Sequence, residues 1–273
     1  MQIFWIKLSK LKYLDFLNKL KNDLLHWEEN QNIIFTPNPE ILLNTLSDEE
    51  FKDILQKANT LTIDWIGIYI WLQIENNRKN IFFETLLLPY YFFNLFFRRK
   101  YLIKKYWERI CGSDLTKDLV NFAEKNWIKI SILDPYFPKD LKKCESQKTF
   151  SEDLQNKFPK LKFDYFIYKL EEKEKIIEEI CKSDSKILFS TLWMKFQEKS
   201  IIEVMQKCKN IKIWLWVWSS FDYFIWFQKR SPKIFRKLGL EWLYRLITWP
   251  QKVKRLKRLY NAIFIFIYKV LTK

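Results

Sequence analysis

Glycine is nearly absent from this chain. It has 3 glycines in 273 residues, where about 7%, roughly 19, is usual. An α/β protein uses glycine at strand-to-helix turns, where φ is positive or a ligand approaches the backbone. Histidine is reduced to His26, which sits near Glu28 and Glu29 and reads as a surface residue. A single histidine and no paired cysteines exclude Ser-His-Asp, Cys-His and zinc chemistry. Cys111, Cys144, Cys181 and Cys208 lie far apart in the sequence and are expected as reduced thiols in a cytoplasmic protein. There is no Walker-type loop and no Asp-x-Asp handle for a metal-bound diphosphate. No uncharged apolar run reaches the roughly 18 to 20 residues that cross a bilayer. The opening MQIFWIKLSK does not read as a signal peptide.

Tryptophan is over-abundant, with 13 residues, and hydrophobic residues make up 48% of the chain. That composition, with 29% charged residues, is globular. The length suits one large α/β domain or two small ones. The net charge of +16 is concentrated at one end. Residues 229–273 hold 13 Lys or Arg and one acid, Glu241, whereas the rest of the chain has 35 basic and 31 acidic residues. A basic end on a near-neutral body suits a polyanionic partner: anionic lipid, nucleotide diphosphate or nucleic acid.

Asn32–Phe35 reads as a strand stopped by Thr36-Pro37-Asn38-Pro39. Glu40 to Ala58 has helical spacing, and Leu61–Ile63 reads as a strand delivering Asp64 at its end. Ile128–Leu133, Lys162–Ile167, Lys186–Phe189 and Ile211–Val217 are further strand candidates, with helical patterns near 139–157, 170–182 and 196–208. The alternation predicts a Rossmann-like α/β fold with a mostly parallel sheet. Ligands bind such sheets at the carboxyl ends of strands. Thr36, Asn38, Asp64, Gln197 and Asp222 all follow strand candidates and are expected to line one crevice.

Two segments suit a lipid interface. In 75–107 the run Leu86 to Phe97 is apolar and aromatic, and Arg98, Arg99, Lys100, Lys104 and Lys105 follow it. From Ser231-Pro232, a plausible helix start, the chain reads as basic amphipathic helices broken at Pro250. The expected division is an α/β domain over 1–228 and a basic appendage over 229–273. Asp64 ends an apolar strand, where partial burial raises a carboxyl pKa and suits a general base. A helix N-cap is the plainer use of an aspartate there.

Several motifs together resemble the WecG/TagA/CpsF glycosyltransferases, from Phe4 to about Leu259. Thr36 and Asn38 match that family's Thr-Pro-Asn, and Asp64-Trp65 stands at its Asp-Gly. Arg109, in Glu108-Arg109-Ile110-Cys111-Gly112-Ser113-Asp114-Leu115, matches an active-site arginine. Gln197 matches the glutamine of Pro-Lys-Gln-Glu, and Phe221-Asp222 closes the match to Gly-Val-Gly-Gly-x-Phe-Asp. Arg230 matches Lys-Arg-Ala-Pro, and Arg245, Lys252 and Arg255 match three basic residues of the C-terminal appendage. Lys252 replaces an arginine. The resemblance implies an inverting, metal-independent transferase with no cofactor and with Asp64 as base. The other nine residues would bind substrate. It further implies a UDP-sugar donor, typically UDP-N-acetylmannosamine, and a polyprenyl-diphosphate-linked N-acetylglucosamine acceptor. The place of action would be an anionic membrane surface, with the enzyme peripheral on its cytoplasmic face. No nucleic acid is implied. The family forms homo-oligomers, but nothing in the periodicity decides that for this chain.

Tryptophan stands where the family has glycine at Trp65, Trp193, Trp216 and Trp218, and where glycine is expected at Trp5, Trp127 and Trp226. Some bacterial lineages read the UGA codon as glycine, while a common translation table reads it as tryptophan. Richness in Lys, Ile, Asn and Phe fits an AT-rich genome. The expectation is that most of these tryptophans are glycine in the cell. Two rival readings of the chain stay open at this point: an inactive, membrane-binding relative, and a basic nucleic-acid-binding protein.

Overall fold

The computed structural model describes residues 2–26, 31–62, 64–77, 80–136, 141–192, 196–217, 220–221, 231–232, 234–235, 241–248 and 252–272. Asp222 and Arg230 lie outside these residues. So do the side chains of Gln197, Arg245, Lys252 and Arg255, although their backbones are in helices.

Residues 2–7 form a small hairpin, β1 (Gln2–Ile3) paired antiparallel with β2 (Ile6–Lys7). Its two turn residues, Phe4 and Trp5, have φ of 48° and 70°. Two successive positive φ values mark the type I′ turn, whose twist suits a hairpin and which favours Asn-Gly.

The main sheet has six strands, β3 (Asn32–Phe35), β4 (Thr60–Leu61), β5 (Ile130–Pro135), β6 (Phe163–Tyr168), β7 (Ile187–Ser190) and β8 (Ile213–Trp216). They are all parallel, in the order β4-β3-β8-β7-β5-β6. The expected Rossmann-like parallel sheet is therefore present. Alternation along each strand feeds two cores. On one face Ile33, Phe35, Leu133, Leu188, Trp214 and Trp216 meet α3 (Glu49–Gln56), α4 (Ile68–Asn77), α9 (Lys173–Lys182) and α10 (Phe196–Lys207). On the other, Ile34, Ile130, Ile132, Ile187, Phe189, Ile213 and Leu215 meet α1 (Tyr13–Leu25), α7 (Gly112–Lys125) and α8 (Leu141–Lys157). Helices on both faces are what parallel strands require.

Three local readings are corrected. The helix expected over Glu40 to Ala58 is two helices, α2 (Pro39–Asn44) and α3. The side chain of Asp48 accepts from Phe51 N at 2.9 Å and starts the second; an aspartate N-cap outweighs the continuous apolar spacing. α11 (Glu241–Thr248) and α12 (Lys252–Tyr260) lie on either side of Pro250 as expected, but the helix after Pro250 is not uniform: a π-helical turn over Asn261–Ile265 leads into α13 (Phe266–Leu271). Cys181 and Cys208 are not reduced thiols: they form a disulfide. Neighbouring helices α9 and α10 bring their Cα atoms to 4.6 Å, although 27 residues separate them in sequence. Cys111 is a buried free thiol.

α7 ends in a Schellman arrangement. Ile128 N donates to Ala123 O at 2.9 Å, across Asn126 and Trp127. Trp127 holds the left-handed position, φ 58°, which is normally glycine. Its ring is exposed, with Lys162 over its face.

Candidate active site

Two adjacent strand ends and one helix start converge on Asp64. β3 ends at Phe35 and is followed by buried Thr36. Asn38 caps α2, its Oδ1 accepting from Ile41 N at 3.0 Å. Next to β3 in the sheet, β4 leads through buried Thr62 to Asp64, whose side chain is half-buried. α7 begins at Gly112, and a Cβ there would lie 3.1 Å from Thr36 Oγ1. A side chain there would push on Thr36 by a few tenths of an ångström, and glycine lets α7 approach this strand end without that shift. The positive end of α7 thus abuts the carboxyl ends of the strands.

Arg109, three residues before α7, bridges to Asp64. Its Nη1 donates to Asp64 O at 2.9 Å and lies 3.7 Å from Asp64 Oδ1. The hydrogen bond grips the main chain, and the ion pair adds to it without a direct bond to the carboxylate. Burial works against the Arg109 charge. Cys111, Asp64, Glu241 and Asp114 outweigh it and hold the guanidinium above its ordinary range. Glu108 faces the other way, accepting from Tyr13 N at 2.6 Å, while Tyr13 Oη donates to Asp118 at 2.5 Å. These contacts dock α1 on α7 and fix the loop that carries Arg109.

The sequence-derived candidates divide accordingly. Thr36 and Asn38 follow β3, Asp64 follows the neighbouring β4, and Arg109 reaches Asp64. Gln197 starts α10, Arg245 is in α11, and Lys252 and Arg255 are in α12. The C-terminal helices fold back towards the site. Arg258 Nε lies 3.6 Å from Glu40 Oε2, two residues beyond Asn38. The Phe266 ring packs edge-on to Trp65 at 5.1 Å and to Phe4 at 5.6 Å.

Sequence reasoning missed a second polar cluster. Asp134, near the end of β5, accepts from Gln147 Nε2 at 2.6 Å, from Tyr165 Oη at 2.7 Å and from the Thr191 hydroxyl. One carboxylate thereby ties β5 to β6, to α8 and to the residue after β7. Its signal was the one used for Asp64, an aspartate closing an apolar strand. Cys111 was also missed. Burial, and then the Asp64 charge, push its thiol up to about 12; Ser113 Oγ lies 3.2 Å from its sulfur. Burial likewise pushes up Tyr69, to about 12. Raised acids favour the neutral form in the fold. Their contribution is whole below the unfolded values, about 8.5 for a thiol, and is lost as pH rises towards 12. The expected result is a melting temperature that falls steadily above about pH 8.5, with Cys111 unreactive to thiol reagents until the protein unfolds. Rapid native labelling of Cys111 would contradict the burial.

Comparison with known proteins places this arrangement. The model of the glycosyl transferase WecG/TagA/CpsF family matches residues 95–273, about two thirds of the chain. The chain belongs to that family. It is 26% identical over 254 residues to a Bacillus subtilis (strain 168) protein named N-acetylglucosaminyldiphosphoundecaprenol N-acetyl-beta-D-mannosaminyltransferase, covering 92% of this chain and 84% of the relative. It is 23% identical over 270 residues to a Staphylococcus aureus (strain MRSA252) protein of the same name, covering 98% and 91%. Among the described residues of this family member, no helix is long and apolar enough to cross a membrane.

Proposed function

We propose that this protein transfers N-acetylmannosamine from its UDP-linked form to the N-acetylglucosamine of a polyprenyl-diphosphate-linked acceptor, with inversion and without a metal. The observation that carries the reading is Asp64, held at the end of β4 beside Thr36 and Asn38 by the Arg109 grip on its main chain. Asp64 takes the proton from the acceptor hydroxyl as that oxygen attacks the anomeric carbon. The bond from that carbon to the diphosphate breaks, and its electron pair leaves with UDP. Arg245, Lys252 and Arg255 neutralise the departing charge, since guanidinium and ammonium donors suit phosphate oxygens. Gln197, Asp222 and Arg230 complete the donor site. The absence of an Asp-x-Asp handle supports metal independence, and the names of the relatives support the substrates. The test is UDP release from UDP-N-acetylmannosamine with a lipid-diphosphate N-acetylglucosamine acceptor. Equal release without acceptor would overturn the transferase reading.

The enzyme acts peripherally at the cytoplasmic face of an anionic membrane. Support comes from α12 onward, where Val253, Leu256, Tyr260, Phe264 and Tyr268 recur at three- and four-residue steps and are exposed, among Lys257, Arg258 and Lys269. Deleting this segment is a poor test, because Phe266 and Ile267 are buried in the main core. Substituting the exposed stripe leaves that anchor in place.

The protein made in the cell carries glycine at most of positions 5, 65, 127, 193, 216, 218 and 226. Trp5 and Trp127 hold positive φ in a type I′ turn and a helix C-terminus, two places that favour glycine. Trp65 and Trp216 support the same reading through what they fill. The Trp65 indole lies 1.9 Å from where a Cβ on Gly67 would be, just past Asp64. Trp216 is fully buried at the end of β8, edge-on to Phe35 at the end of the adjacent β3. Strand ends are where a parallel sheet receives its ligand, and glycine would leave that space open. Peptide mass spectrometry on the native protein decides it: glycine masses at 65 and 127 are expected, and tryptophan masses at both would reject it.

A further inference from the structure

α5 (Ile81–Phe97) is apolar on its outer side as well as its inner one. Its protein-facing side sets two buried polar residues, Glu84 and Asn94, among Leu87, Leu88, Tyr91, Phe92 and Leu95. Buried Glu84 accepts from Tyr91 Oη at 2.7 Å, and Asn77 Nδ2 donates to the same hydroxyl at 2.6 Å. Asn94 Nδ2 donates to Gln73 Oε1 at 2.8 Å, and Gln73 Nε2 donates to Tyr69 O at 3.0 Å and Tyr91 O at 3.3 Å. The hydrogen bonds among these residues dock α5 on α4. The outer side is apolar: Phe82, Leu86, Tyr90, Phe93 and Phe97 follow one another at helical spacing, with Phe82 64% and Phe97 75% exposed. A water-facing helix carries polar residues on that outer side.

We propose that α5 is a lipid-inserting helix, seated at the headgroup–acyl boundary of an anionic bilayer, and that the exposed stripe of the C-terminal helices continues the same face. Three observations select lipid as the occupant. First, the outer face is aromatic and aliphatic along its length, and Glu84, the one acid of α5, is turned inward and buried. Second, Arg98, Lys100, Lys104 and Lys105 follow the helix and are exposed, placing cations at headgroup level. Arg98 lies 6.0 Å over the Phe93 ring. Third, α13 packs on both α4 and α5, bringing the Tyr260, Phe264 and Tyr268 stripe beside α5. Seventeen residues reach only about 25 Å, and Pro89 lies inside the helix, so α5 lies in the interface rather than crossing. Because α4 begins four residues after Asp64, this face sets the site beside the surface that carries a lipid-linked acceptor. That last step rests on the transferase reading; the lipid face itself does not.

The test is flotation of the full chain with phosphatidylglycerol–phosphatidylcholine vesicles. Phe82→Ser/Leu86→Ser/Phe93→Ser is expected to weaken binding by at least about tenfold with an unchanged melting temperature. Binding equal to that of the starting protein overturns the proposal. A second measurement does not depend on that variant: a bimane label on Phe97→Cys is expected to be quenched by brominated acyl chains, and no quenching counts against insertion. If the triple variant breaks a dimer while vesicle binding is intact, the face belongs to a second copy and the proposal fails. With vesicle-borne acceptor the variant should lose turnover, and with a short water-soluble acceptor it should keep it. Absence of turnover from every form, the protein with glycine at 5, 65, 127, 193, 216, 218 and 226 included, with flotation as expected, would reject the transferase reading and leave the lipid face standing.

Discussion

Asp64→Asn lowers the transfer rate by about 10² to 10⁴-fold, the range for removing a general base, and leaves the fold intact. The amide keeps the shape of the side chain and loses its negative charge and its ability to take a proton. The fold is expected to survive because the hydrogen bond from Arg109 goes to the main-chain oxygen of residue 64, which the substitution does not touch. The ion pair it weakens is long, at 3.7 Å, and the charges of Glu241 and Asp114 still offset the burial of Arg109. UDP release measured beside thermal unfolding separates the two effects. A wild-type rate rejects Asp64 as the base. A large fall in melting temperature would recast it as a structural partner of Arg109. Arg109→Gln is the complementary case: with its grip on residue 64 lost, both turnover and stability are expected to fall.

Much of the sheet was legible because each strand is a short apolar run between polar breaks. Asn32–Phe35 is found as read, and the other five strands differ from their readings by one or two residues at an end. Those shifts are of the kind that fraying and twist produce at strand ends. That Thr36, Asn38 and Asp64 follow the carboxyl ends of neighbouring strands was legible from the strand pattern, because β3 and β4 pair in parallel. The bridge from Arg109 was legible only through the family resemblance. Nothing in spacing brings residue 109 to residue 64, and their contact depends on α7 closing on Thr36 at Gly112. The Cys181–Cys208 bond was hidden for the same reason: helix packing, not sequence distance, sets its geometry.

The β1–β2 hairpin was missed for a different reason. The sequence signal of a two-residue hairpin is Asn-Gly or its equivalents, and here the turn reads Phe4-Trp5. The end of α7 at Trp127 is masked in the same way, since a Schellman cap is recognised by its glycine. A chain with tryptophan at such points folds as if glycine were there. Its punctuation is illegible although its pattern of apolar strands and helices is intact.

Replacing those two tryptophans tests the point energetically. Left-handed backbone costs a residue with a side chain about 1 to 2 kcal/mol, and glycine gives back roughly 0.5 to 1 kcal/mol through its freer unfolded chain. Trp127→Gly and Trp5→Gly are therefore each expected to raise stability by about 0.5 to 1 kcal/mol. Each loses little buried surface, since both residues are more than half exposed; Trp127 gives up its contact with Lys162. Trp214→Gly is the opposite case. That indole is fully buried in the middle of β8 and belongs to the core, so its removal should cost about 3 to 5 kcal/mol. Trp214 is the contrast, a position where the ring is wholly packed in the core although its indole N–H has no partner among the described residues. Calorimetric unfolding of the three single variants gives the comparison. If Trp127→Gly and Trp214→Gly both destabilise, the left-handed tryptophans are held by real packing and the structural support for glycine at 5 and 127 is gone. If the signs divide as expected, the strain belongs to residues that the fold never called for.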